Sequence, residues 1–179
     1  MNTNHDKYVL FEISGTTYGI PSADVRHIEM VEHVTPVPNA SSAIDGVVFS
    51  RGQVIPALNL RTRFGFAREA HTLRTRLVCV QLGERVVGLI VDAAREFLRI
   101  PAEMVRPIEQ TLTGISGNYL RAVANLGERL ILLLDLDAVL DVDLNEPAPP
   151  TAAPATAQTG PPLSAPTIEP NTSQRTNAP

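Results

Sequence analysis

The chain is 179 residues long, carries a formal charge of −4 and contains a single lysine, Lys7, a balance that argues against the strongly basic surface of a nucleic-acid-binding domain. Aromatic residues make up 4 % of it, too few for the stacking platforms of a single-strand binder. One cysteine, Cys79, permits no internal disulfide and fits a reducing compartment as a small buried thiol.

In chain order, the polar opening of residues 1–6 predicts no signal peptide. Residues 8–13 alternate apolar and polar, Ser14-Gly15 offers a turn, and residues 17–20 pair back until Pro21, which lacks a ladder donor. Residues 22–28 read as a short helical turn capped by Ser22, with Val25 and Ile28 on one face. Prolines at 36 and 38 force an extended loop. Residues 46–60 predict a strand, a tight turn at Arg51-Gly52 and a second strand, followed by one helical turn over 60–64. An Arg-rich linker, 67–75, separates this module from another.

The second module predicts strands near 76–82, 86–91 and 94–100, a loop around 101–107, strands at 119–125 and 129–134, and a closing helix over 135–140. Its longest apolar run, 130–134, is far short of the ~20 residues a membrane helix needs, so the reading is a soluble, cytoplasmic protein. From residue 144 onward Pro, Ala and Thr dominate without aromatics. Such a tail cannot bury enough to offset its ordering entropy, and 144–179 is expected to be disordered, leaving 6–143 folded.

The two modules echo each other. Phe11 to Ile20 aligns with Val80 to Leu89 at an offset of 69, and Val54 to Leu60 aligns with Leu130 to Leu136 at an offset of 76. Short strands at such spacing predict an all-β fold of two small barrels, the first over about 17–75 and the second over about 76–143, with strand 8–13 packed against them.

Reactive constellations are missing. His5, His27, His33 and His71 have no Cys or paired His at metal-ligand spacing, and no Walker loop, G-x-G-x-x-G or G-x-S-x-G is present. Asp135, Asp137, Asp141 and Asp143 read as a solvated helix edge. No catalytic residue, metal or cofactor is therefore predicted. The arginines Arg51, Arg61, Arg63, Arg68, Arg74 and Arg76 form either a solvated loop face or a protein-docking patch. Gly19, Gly46, Gly52 and Gly88 either relieve crowding in a small barrel or admit a partner's backbone.

Taken together, Tyr18-Gly19-Ile20, Gly46-Val47, Arg51-Gly52-Gln53-Val54-Ile55-Pro56, Val86-Val87-Gly88-Leu89-Ile90-Val91-Asp92 and residues 130–136 resemble, in order, the CheW-like coupling proteins of bacterial chemotaxis. The resemblance implies two SH3-like five-stranded barrels with a shared apolar core and a non-catalytic adaptor function. Its partners would be the cytoplasmic tip of chemoreceptors, the regulatory domain of the histidine kinase CheA and, in rings, other CheW-like proteins. The chain would then sit at the inner face of the membrane through receptor arrays, with no nucleic acid bound and no membrane insertion. Partner-binding residues carried over by position are Val25, His27 and Ile28, Gly46, Arg51 and Gly52, and Val87 with Gly88. By its residues alone, Arg51 is equally a turn residue bonding local carbonyls. His27 stands where family members often carry an acid, and Arg121-Ala122 where a Gly is common, so the surface offered to partners departs from the family pattern. Coupling in a pathway other than flagellar chemotaxis, such as type IV pilus motility, is the alternative, with a small-barrel nucleic-acid binder a distant one.

Overall fold

Alternation of period two and Gly-containing turns produce hairpins where the sequence predicts them. The computed structural model describes residues 7–108 and 118–141; His5, Asp143 and the tail expected from residue 144 lie outside them. Along the chain run β1 (Lys7–Ile13), β2 (Thr16–Pro21), a 3-10 turn (Ser22–Asp24), β3 (Val25–Met30), β4 (Ile44–Ser50), β5 (Gln53–Asn59) and α1 (Leu60–Arg63). The second series is β6 (Arg76–Leu82), β7 (Arg85–Val91), β8 (Ala93–Arg99), a 3-10 turn (Ala102–Met104), β9 (Val105–Pro107), β10 (Leu120–Leu126), β11 (Arg129–Leu134) and α2 (Leu136–Leu140). Asn59 caps α1 by accepting from the backbone N–H groups of Arg61 and Thr62, and Asp135, its counterpart 76 residues on, caps α2 through Ala138 N–H.

The fold is all-β, with two sheets ordered β3-β6-β7-β5-β4 and β8-β1-β2-β11-β10-β9. The second has six strands rather than five because β9, in the expected loop, pairs with β10. Pro107 is tolerated there because an edge strand has no outer ladder to supply. Each sheet contains one parallel pair: β5 with β7, through Ala57↔Gly88 and Leu58↔Leu89, and β11 with β2, through Leu133↔Gly19.

The repeat is real but exchanged. Hairpin β1–β2 belongs to the sheet holding β8, β10 and β11, whereas hairpin β6–β7 belongs to the sheet holding β3, β4 and β5. A division at 75/76 therefore does not follow the strands: one sheet is built from 25–91 and the other from 7–21 with 93–134. The cause is local. A single residue, Asp92, joins β7 to β8, and Cα atoms two residues apart reach at most about 7 Å. Lying beside β6 would require β8 to cross two strand spacings, roughly 10 Å, so it leaves for the other sheet and pairs with β1.

Each sheet has two apolar faces. Val9, Phe11, Ile13, Tyr18 and Ile20 from one hairpin meet Val78, Val80, Leu89 and Val91 from the other in a shared core between the sheets. Burying each of these side chains contributes about 1.5–3 kcal/mol. The opposite faces enclose private cores, Leu10, Ile131 and Leu133 in the six-stranded sheet and Ile55, Leu77, Cys79 and Ile90 in the five-stranded one. Gly19 and Gly88 occupy matching positions over these private cores. A Cβ would stand 3.0 Å from Leu133 Cδ2 at Gly19 and 2.7 Å from Leu77 Cδ1 at Gly88.

Candidate functional site

Segment 22–28 differs from its expectation. The 3-10 turn covers only Ser22–Asp24 and has no side-chain cap bond, and Val25, His27 and Ile28 lie on strand β3. A bulge between Val25 and His27 resets the alternation, so Val25 and Ile28 both pack against the shared core. Both remain partly exposed. His27 points the other way, its side chain 13 % exposed, with Nε2 3.0 Å from Ser50 Oγ.

Gly46 is buried and scaffolds a crossing. Thr35 N–H donates to Val47 O and Val47 N–H donates to Thr35 O, both at 2.8 Å, bringing the loop so close that a Cβ on Gly46 would sit 2.1 Å from Thr35 O. Gly88 faces a private core and Val87 is 8 % exposed. Arg51 and Gly52 form the exposed β4–β5 turn with positive φ of 46° and 84°, the geometry of a two-residue hairpin turn.

Two surfaces emerge. The structure joins His27 and Arg51 at the mouth of the five-stranded sheet, where with Arg26, Ser50, Gln53 and Val86 they line a cavity of about 250 Å³. It does not bring Gly46 or Gly88 there. Adjoining it at Val86 is an apolar groove of about 190 Å³ lined by Ile44, Pro56, Leu58, Val87 and Leu140, with Arg85 at its rim. Arg85 thus borders the apolar groove, and Arg51 borders the cavity.

Sequence reasoning missed an apolar pair. Phe49 and Val54 are direct partners across β4 and β5 and are 76 % and 66 % exposed, one step from the Arg51-Gly52 turn. The signal was present, because Val48 and Ile55 are buried and strand alternation sends their neighbours outward.

Four of the clustered arginines, Arg61, Arg63, Arg68 and Arg76, are spent on acceptors of the protein itself, while Arg51 and Arg74 are exposed. Arg61 pairs with Asp92 and Glu69, each at 2.5 Å, and donates to Ala67 O. Arg63 donates to the carbonyls of Ala138, Val139 and Asp141. Arg68 donates to Ser42 O and stands 2.8 Å from Asp45, and Arg76 donates to the carbonyls of Leu73 and Thr75. These pin the 67–75 linker and α2 to the sheets. Cys79 is fully buried. Burial, then the Glu29 charge, pushes its thiol up to about 11, with smaller opposing contributions from the Ser50 hydrogen bond, Arg51 and Arg26.

The CheW-like domain family matches residues 7–143. This chain belongs to the CheW-like family. It is 30 % identical over 134 residues to the chemotaxis protein CheW of Klebsiella aerogenes, covering 75 % of this chain and 81 % of that one. It is 27 % identical to CheW of Bacillus subtilis, covering 83 % and 95 %. The crystal structure of the scaffolding protein TtCheW from Thermoanaerobacter tengcongensis superposes with a TM-score of 0.72 at 26 % identity, over 79 % of this chain and 96 % of that one. The CheW-like chain is accordingly a scaffold and adaptor of chemotaxis signalling, of a family that couples chemoreceptors to CheA. Among its described residues no helix is long and apolar enough to cross a membrane.

Proposed function

We propose that this CheW-like chain, without catalysis of its own, holds a CheA-type histidine kinase against the cytoplasmic tip of a chemoreceptor. One observation carries the reading: the rimmed apolar groove and the exposed Phe49–Val54 hairpin lie on the same five-stranded sheet. The groove suits the apolar stripe of a receptor helix whose carboxylate meets Arg85. The hairpin, with an exposed aromatic beside an arginine, has the composition of an interface anchor and suits the end of a like-built barrel in the kinase's regulatory domain. Because groove and hairpin use different residues, both partners can be held at once, and the adaptor acts by position. Its place is the cytoplasm, at the inner face of the membrane through receptor arrays.

Calorimetric titration of the full chain with the kinase regulatory domain, and separately with a soluble receptor-tip helical bundle, tests this. Binding of both, with Arg85→Glu weakening the receptor alone, is expected. A folded chain that takes up neither refutes the reading.

A further inference from the structure

Three donors of different chemistry converge inside the mouth of the five-stranded sheet. His27 and Cys79 are direct partners across β3 and β6, and Glu29 lies two residues beyond His27, so all three side chains leave one face of the sheet. His27 Nε2, a Glu29 carboxylate oxygen and Cys79 Sγ all lie within 4.8 Å of one another, and the His27–Glu29 pair is separated by 3.5 Å. Around a tetrahedral zinc ion with bonds of about 2.0–2.3 Å, donors stand roughly 3.3–3.6 Å apart. The His27–Glu29 edge already has that length, and the sulfur needs to close in by at most about 1.2–1.5 Å to complete the set.

We propose that His27, Glu29 and Cys79 form a binding site for a borderline divalent cation of the zinc or cobalt class, with the fourth coordination position open to the adjoining cavity. Imidazole, carboxylate and thiolate together match that class, whereas calcium and magnesium take oxygen donors alone. Access is provided by two cavities that meet at Ser50, one lined by His27 and Arg51 and the other by Glu29 and Arg51. Ser50 Oγ, now bonded to His27 and 4.0 Å from Cys79 Sγ, is placed to turn its hydroxyl to a metal-bound thiolate. Thiolate and carboxylate balance the two charges of the ion. Binding transfers the Cys79 proton to solvent and involves no electron transfer, so it tightens as pH rises.

Cobalt(II) added to the full chain is the direct probe. A thiolate-to-cobalt charge-transfer band can arise only at Cys79, the one cysteine. The expected result is a band that saturates at one equivalent, is displaced by zinc, weakens at least tenfold in affinity in Glu29→Gln and disappears in Cys79→Ser. A folded chain that develops no such band overturns the proposal, as does a band of undiminished affinity in both His27→Gln and Glu29→Gln. Should Cys79→Ser fail to fold, thermal unfolding with zinc decides: a rise in Tm in the parent that is lost in Glu29→Gln supports the site, and an equal rise in both overturns it.

Discussion

Arg63 is sandwiched between Tyr119 and the end of α2. Its guanidinium carbon lies 4.7 Å from the centre of the Tyr119 ring, and Nε and Nη2 donate to Val139, Ala138 and Asp141 carbonyls at 2.6–3.1 Å. These are orphan acceptors at a helix end, so one side chain from the first series closes an element of the second. Phe64, the next residue, stacks on the same ring at 5.4 Å.

Arg63→Ala is therefore expected to cost about 3 kcal/mol in denaturant unfolding. Arg63→Lys should recover less than half of this, because an ammonium cannot reproduce the planar fork or the stacked face. Equal stability of both variants with the parent would remove Arg63 from this role.

Two glycines separate scaffold from turn. Gly46→Ala drives a Cβ onto the Thr35 carbonyl at a positive φ of 150° and should cost more than about 3 kcal/mol. Gly52→Ala meets nothing within 4 Å and should cost only the left-handed strain, about 1–2 kcal/mol. Urea midpoints of the two variants measured side by side check the order.

Phe49→Ser should leave unfolding within about 0.5 kcal/mol of the parent, since the ring is 76 % exposed. Its affinity for the kinase regulatory domain should nevertheless fall at least tenfold. Undiminished binding would take the hairpin out of the interface.

Cys79 sets an alkaline limit. Its folded thiol titrates near 11, above the ordinary value of 9.0, chiefly through burial. The protonated form is the one the fold favours, so this contribution is fully present below pH 9.0 and is lost as pH rises through about 11. Tm measured across that window should fall, and Cys79→Ser should fall less steeply. Thiol alkylation of the folded chain should be slow at neutral pH.

Much of the fold is local and was legible. The hairpin turns and the internal echoes at offsets of 69 and 76 follow from alternation and turn chemistry among residues close to one another in the chain. The resemblance carried by residues 18–20, 51–56 and 86–92 pointed to the family that the comparisons show. Of the residues singled out for binding, the exposed turn Arg51-Gly52 is read correctly as a turn, since φ preference is a property of the residue itself.

The remainder depended on contacts between distant segments. Periodicity cannot reveal that a single link residue, Asp92, sends β8 to the other sheet and so exchanges the hairpins. It cannot foresee the bulge that turns Val25 and Ile28 inward and His27 towards Ser50 and Cys79. Nor can it tell Arg63, spent on a helix end 75 residues away, from Arg51, which has no hydrogen-bond or ion-pair partner among the described residues. Composition states which groups a chain owns; only the packed sheets decide which of them are already satisfied and which are left to face a partner, because desolvation and pairing act through space and not along the chain.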